Sequence, residues 1–188
     1  MADDDSTTVR CRPAHAHDAE QVATLHAASW RRHYRGAYAA SYLDGDVFAD
    51  RLAVWSGRLA EPTGSITVLA EDDGGLAGFV HVILDEDVEW GSLIENLHVA
   101  LPYHRTGIGT TLLACAARGI IECATNSATY LWVLKQNTAA QQFYRARGGA
   151  CVEEAPVSPP GGVSSRLDGA PTMFRIAWPD ASVLALQR

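Results

Sequence analysis

The chain has 188 residues, of which 47% are hydrophobic and 20% are charged, a composition that suits one globular domain and excludes disordered, collagenous and coiled-coil proteins. Its 22 acidic and 15 basic residues give a formal net charge of −7, which excludes a general electrostatic affinity for nucleic acid. No stretch approaches the roughly 18 apolar residues of a membrane helix and the acidic start has no apolar segment typical of a signal peptide, so we expect a cytoplasmic protein that binds neither nucleic acid nor a membrane.

The first third of the chain predicts one strand followed by two helices. Residues 8–12 are typical of a short strand, and Asp18 with Gln21 forms a candidate capping box before a helix that carries Val22 and Leu25 on one face. An apolar stripe at helical spacing over residues 48–59 predicts the second helix.

The remainder of the chain alternates strands with helices. The sequence Asp72-Asp73-Gly74-Gly75 is a strong hairpin signal between two strands, at residues 65–70 and 76–84. Further strands are predicted over residues 92–99, 130–134, 150–154 and 172–178, and helices over residues 107–125 and 138–147. This order predicts an α/β fold with a mixed central sheet of about seven strands and helices on both faces. We assign residues 1–7 to a disordered acidic N-terminus, residues 8–180 to a single domain and residues 181–188 to a C-terminal tail.

The cysteine and histidine spacings argue against disulfides and metal sites. Cys11, Cys115, Cys123 and Cys151 form no Cys-x-x-Cys pair, and free cysteine behaves as a small buried hydrophobe, so we expect four buried thiols. The seven histidines include no His-Glu-x-x-His pattern, and we expect no metal cofactor.

The segment over residues 93–109 predicts an anion site, because a strand runs through a polar turn directly into a helix opened by Gly107 and Gly109. Free backbone N–H groups and the positive end of the helix dipole bind anions there, and glycines let a pyrophosphate approach closely. A plain tight turn is the alternative reading. A Walker loop does not fit, since the only lysine is Lys135, and a Rossmann fingerprint does not fit, since position 112 is Leu.

A second motif about 30 residues further on makes the pattern specific. It reads Leu131-x-Val133-x-x-x-Asn137-x-x-Ala140-x-x-Phe143-Tyr144-x-x-x-Gly148. In this order the two motifs resemble those of the GCN5-related N-acetyltransferase (GNAT) superfamily, and the likeness extends over residues 8–178. The resemblance implies a GNAT-like fold, acetyl-CoA as co-substrate, and parallel strands 4 and 5 that splay apart near Val99.

The resemblance also implies coenzyme contacts. The residues that match coenzyme-binding positions are Leu97, Val99, His104, Arg105, Thr106, Gly107, Ile108, Gly109, Thr110, Asn137, Phe143 and Tyr144. His104 stands where the family usually has Arg or Gln. For Asn137 the alternative is an ordinary helix N-cap. Tyr144 matches the general acid that protonates the departing thiolate, and a buried core tyrosine is the alternative.

Direct attack requires a group that takes a proton from the acceptor amine. By strand alternation Glu95 shares a face with Val99 and His98 points to the other face, so Glu95 is the first candidate base and His98 the second. A solvated edge carboxylate is the alternative for Glu95. Candidate acceptor contacts are Trp30, Tyr34, Tyr38 and Trp90, which suit a cationic amine but equally suit a hydrophobic core.

The sequence therefore predicts an enzyme that moves an acetyl group from acetyl-CoA to a primary amine of a small molecule or peptide. A CoA-binding sensor or protein-interaction module with the same fold and little transfer activity is the alternative. The closing strand over residues 172–178 is the candidate contact for a homodimer.

Overall fold

A computed structural model describes residues 9–186, and the predicted disordered segment 1–7 lies outside the described residues. Within this range seven strands form one sheet in the order β1-β2-β3-β4-β5-β7-β6. The strands are β1 (Arg10–Pro13), β2 (Ser65–Asp72), β3 (Gly75–Asp87), β4 (Gly91–Val99), β5 (Thr129–Leu134), β6 (Ala150–Pro156) and β7 (Thr172–Trp178). Only β4 and β5 pair in parallel among these. The predicted α/β fold with a mixed sheet is thus confirmed.

Helices cover both faces of the sheet. They are α1 (Ala19–His33), α2 (Ala40–Asp44), α3 (Val47–Ala60), α4 (Ile108–Cys123), α5 (Thr138–Arg145) and α6 (Ser182–Ala185). Successive strand residues point to opposite faces, so Phe79 packs with α1 and α3 while Val80 packs with α4. None of the helices in the described range is long and apolar enough to cross a membrane.

Asp18 does not form the predicted capping box at the start of α1. Its buried carboxylate accepts both Nη groups of Arg12, the backbone N–H of His15 and the side-chain amide of Gln21. The Arg12 guanidinium holds the pKa of Asp18 well below its usual range. Asp18 therefore ties β1 to α1 instead of satisfying the first helical N–H groups.

The sheet opens between β4 and β5, as the predicted splay requires. The two strands pair only through Ser92 with Thr129 and Leu93 with Tyr130, and the rest of each strand runs apart. On the neighbouring strand β3, a side chain at Gly78 would come within 2.9 Å of the Leu112 side chain on α4. The missing side chain lets α4 lie close against the sheet, and this places the N-terminus of α4 beside the opening.

Three expectations about the periphery differ from the structure. Cys11, Cys123 and Cys151 are exposed and Cys115 is half-buried, so the prediction of buried thiols is wrong. Strand β7 lies between β5 and β6, so a dimer formed by strand pairing at this end of the sheet would use the edge strand β6. Residues 181–186, assigned to a tail from the sequence, place Ala181 and Leu184 in the main hydrophobic core.

Candidate active site

A groove of about 830 Å³ follows the opening between β4 and β5. Its walls come from α1, from the diverging strands, from the turn before α4 and from α5. Because β4 and β5 do not pair here, the backbone edge of each strand is available to an extended ligand.

One end of the groove is the turn that opens α4. Gly107 has φ of 93°, a left-handed conformation that glycine adopts without strain. Within residues 9–186, no acceptor takes the backbone N–H groups of Arg105, Gly107, Ile108 or Gly109. Four such donors at the positive end of a 16-residue helix form an anion cradle.

Helix α5 brings a second positively charged side chain to this end of the groove, in addition to Arg105 of the turn. His104 folds back, and its Nε2 lies 3.0 Å from the carbonyl oxygen of Val99, which makes that nitrogen the donor. Arg147 donates from Nε to the hydroxyl of Thr110 at 3.1 Å, and its guanidinium lies 3.8 Å above the ring of Phe143. Arg105 and Arg147 therefore place two positive charges at this end of the groove.

Helix α5 places two further predicted residues in the groove. The side chain of Asn137 accepts the backbone N–H of Ala140 at 3.2 Å, so it acts as the N-cap, and it also lines the groove. Tyr144 lies two turns after Asn137 on α5. It also lines the groove and packs edge-on against Trp178. Burial raises the pKa of Tyr144 above the usual phenol range, so this hydroxyl stays protonated at any working pH.

Strand alternation fails at Glu95 because β4 carries a bulge there. Asn96 pairs with His81 and Ile94 pairs with Val82, which leaves Glu95 as the extra residue. A bulge turns the side chain away from its regular face, and Glu95 accepts from Nη2 of Arg58 on α3 at 2.8 Å. Its face is therefore opposite to that of Val99, which packs toward α4, contrary to the prediction.

The side chain of His98, like that of Glu95, lies on the face of the sheet that α1 and α3 cover. Its Nδ1 is 2.8 Å from the hydroxyl of Ser29 on α1, and its ring packs 4.6 Å from that of His26. Burial lowers the pKa of His98 to about 3, so the ring is neutral near pH 7 and is a weak proton acceptor. Both candidate bases thus line the groove.

A family model described as the acetyltransferase (GNAT) family matches residues 17–148, more than half of the chain. The chain belongs to this acetyltransferase family. The uncharacterized N-acetyltransferase YuaI of Bacillus subtilis is 25% identical over 178 residues, which cover 94% of this chain and 96% of YuaI.

Solved acetyltransferase structures share the fold. PaiA N-acetyltransferase from Thermoplasma acidophilum, in complex with coenzyme A, has a TM-score of 0.69 at 18% identity and covers 91% of this chain and 99% of its own. YncA from Salmonella typhimurium, with its cofactor acetyl-CoA, has a TM-score of 0.65 at 17% identity and covers 92% of this chain and 94% of its own.

In this acetyltransferase the groove brings together most of the residues singled out from the sequence. Those that line it are Tyr34, Glu95, Leu97, His98, Val99, His104, Arg105, Gly107, Gly109, Thr110, Asn137, Phe143 and Tyr144. Ile108 contributes its backbone to the turn while its side chain is in the core, and the hydroxyl of Thr106 donates to the carbonyl of Tyr103.

Three predicted acceptor contacts lie elsewhere. Trp30 and Tyr38 are buried against each other in the cluster under α2, so their aromatic character reflects core packing. Trp90 lies at the opposite end of β4 from Val99, where the guanidinium of Arg175 is 5.2 Å from its ring centroid. Of the four aromatic residues, only Tyr34 lines the groove.

Sequence reasoning missed Ser29, His33 and Arg147, which also line the groove. Arg147 was detectable, because it follows Phe143 by one helical turn and adds a positive charge on the same face. The other two sit on α1, and only the packing of α1 across β4 brings them to the site. In the described part of the chain, no three His, Cys, Asp or Glu side chains are grouped as metal ligands.

Proposed function

We propose that this protein transfers the acetyl group of acetyl-CoA to a primary amine of a small molecule or peptide. The observation that carries the proposal is the anion cradle of residues 105–109 at one end of a groove that continues between two unpaired strand edges. A diphosphate fits the cradle, because its oxygens accept the free backbone N–H groups of the turn. An extended arm that contains amides fits the strand edges, because its amides pair with the free backbone groups of the strands. Acetyl-CoA supplies an activated thioester; the protein supplies alignment and proton transfer.

The polar groups around the opening suit direct attack by an amine. Glu95 is held by Arg58 and by the side-chain amide of Asn96, which donates to it at 2.8 Å. We assign to Glu95 the removal of a proton from the incoming ammonium, and to Tyr144 the donation of a proton to the departing sulfur. Alignment of the two reactants in the groove supplies the larger part of the rate.

Mixing the protein with acetyl-CoA and a panel of amines tests the proposal. We expect CoA to be released only when an amine is present. Chromatography should be used to measure the CoA, because the protein's own four cysteines react with thiol reagents. Gly109→Val should weaken acetyl-CoA binding by at least about tenfold, or about 1.4 kcal/mol, since even a methyl group there lies 3.2 Å from the Phe143 ring.

Gly57→Ala is the matched control, because Gly57 lies on α3 with open space around it and should leave binding unchanged. Binding of acetyl-CoA without CoA release for any amine would favour the sensor alternative. Equal binding by the Gly109 variant would remove the cradle from the proposal.

Glu95→Gln tests the proposed base. With the best amine of the panel, we expect kcat/KM to fall by about 10²-fold while acetyl-CoA affinity stays the same, because the amide cannot accept the proton. The remaining activity should rise with pH, as more of the amine reaches the active site already deprotonated. Glu61→Gln, at an exposed position just after α3, is the control. A wild-type kcat/KM in the Glu95 variant would assign the proton to another group.

A further inference from the structure

Two thiols meet on the face of the sheet that α4 covers, away from the groove. Cys11 on the edge strand β1 pairs with Ala70 of β2, which points into the core beneath α4. Residues directly opposite on paired strands point to the same face, so Cys11 faces α4. The two thiols are near enough that each changes the pKa of the other.

A separate observation shows which face of α4 carries Cys115. Cys115 and Gly119 are one turn apart and share a face of α4, and a side chain at Gly119 would come within 2.7 Å of Ile66 on β2. That face therefore lies over β2, next to β1. Cys11 is exposed and Cys115 is half-buried, so small reagents reach the pair.

The surroundings activate Cys115 more than Cys11. Nη2 of Arg118 donates to the Cys115 sulfur at 3.1 Å. The interaction with Cys11 and the charge of Arg118 lower the pKa of Cys115, whereas the interaction with Cys115 and partial burial raise the pKa of Cys11. A thiolate beside a guanidinium, with a protonated thiol nearby, is the arrangement of an attacking and a resolving cysteine.

We propose that Cys115 and Cys11 form a peroxide-oxidisable dithiol site that closes to a disulfide between α4 and β1. The Cys115 thiolate attacks one oxygen of hydrogen peroxide, the O–O bond breaks, and hydroxide leaves and takes a proton to give water. The resulting sulfenic acid is attacked by the sulfur of Cys11, which loses its proton, and the S–O bond breaks to release a second water. Two thiols lose two electrons, and one peroxide accepts them.

Treatment of the 188-residue protein with hydrogen peroxide, followed by non-reducing digestion and mass spectrometry, tests this site. We expect a peptide pair joined through residues 11 and 115 and a loss of two titratable thiols per chain. In Cys11→Ser, we expect a Cys115 sulfenic acid that dimedone traps, because the resolving thiol is gone. At pH 7, limiting iodoacetamide should label Cys115 on the order of tenfold faster than Cys123, and Arg118→Gln should reduce that preference.

Cys123→Ser and Cys151→Ser are the matched controls, since both residues are exposed and neither contacts the pair, and the linkage should form in both variants. Oxidation spread evenly over the four cysteines would overturn the proposal. So would a Cys115 that alkylates no faster than Cys123, or peroxide-treated protein in which residues 11 and 115 stay unlinked.

Discussion

Tyr144→Phe is expected to lower kcat by about 10²-fold or more while leaving the affinity for acetyl-CoA nearly intact. The substitution removes only the hydroxyl, and the ring keeps its packing against Trp178 and Phe143. Because burial raises the pKa of Tyr144, the phenol stays protonated and the wild-type rate should show no decline from its ionisation up to pH 10. Steady-state kinetics from pH 7 to 10, with calorimetric titration of acetyl-CoA, measures both quantities.

Tyr130→Phe is the control for this substitution. Tyr130 is another buried tyrosine with a raised pKa, but it lies on β5 beside Arg175 and does not line the groove. Its variant should retain wild-type kcat. If Tyr144→Phe also retains kcat, the leaving thiolate takes its proton from a different donor.

The fold was predictable because each local signal agreed with the tertiary arrangement. The Asp72-Asp73-Gly74-Gly75 turn joins β2 to β3 as expected, and the apolar stripe over residues 48–59 became α3, which buries Trp55 and Leu59. Helix α2 was not predicted as a separate element, since five residues are too short to show a helical period.

The backbone part of the site was also predictable, whereas several side chains were not. Gly107 and Gly109 mark the cradle in the sequence, because unhindered N–H groups need glycine there. The bulge at Glu95 involves no glycine and no turn signal, so alternation placed this carboxylate on the wrong face. Likewise, the tendency of free cysteine to be buried misled the prediction at Cys11, which lies between Arg10 and Arg12 on an edge strand that leaves the thiol exposed.

The sequence did not predict that three histidines are buried behind the groove, because their burial depends on contacts between residues far apart in the chain. His26 accepts the indole N–H of Trp55, His81 bonds the hydroxyl of Thr67, and His98 bonds Ser29. Burial lowers the pKa of His81 to about 4 and of His98 to about 3, and lowers that of His26 well below 6.5. All three are neutral in the folded protein near pH 7.

These histidines predict a steep loss of stability in mild acid. Below pH 6.5 each one takes up a proton in the unfolded chain but not in the folded protein, so the free energy of unfolding falls as pH falls, until the pH reaches the folded pKa values. Well below pH 6.5 each histidine contributes about 1.4 kcal/mol per pH unit, and because the slope develops only around pH 6.5, the three together contribute about 6 kcal/mol between pH 7 and pH 5. Urea unfolding at pH 7, 6 and 5 measures this slope.

A single substitution assigns the slope to the buried rings. His81→Gln keeps a hydrogen-bonding group near Thr67 but cannot titrate, so about a third of the pH dependence should disappear even if the variant is less stable at pH 7. His15→Gln, at an exposed position, should leave the slope unchanged. If the free energy of unfolding of the wild-type protein changes with pH by the equivalent of less than one proton, the buried histidines are already protonated in the folded protein. In that case His98 would regain its place as a candidate base, because the groove would then contain an imidazole that accepts protons near neutral pH.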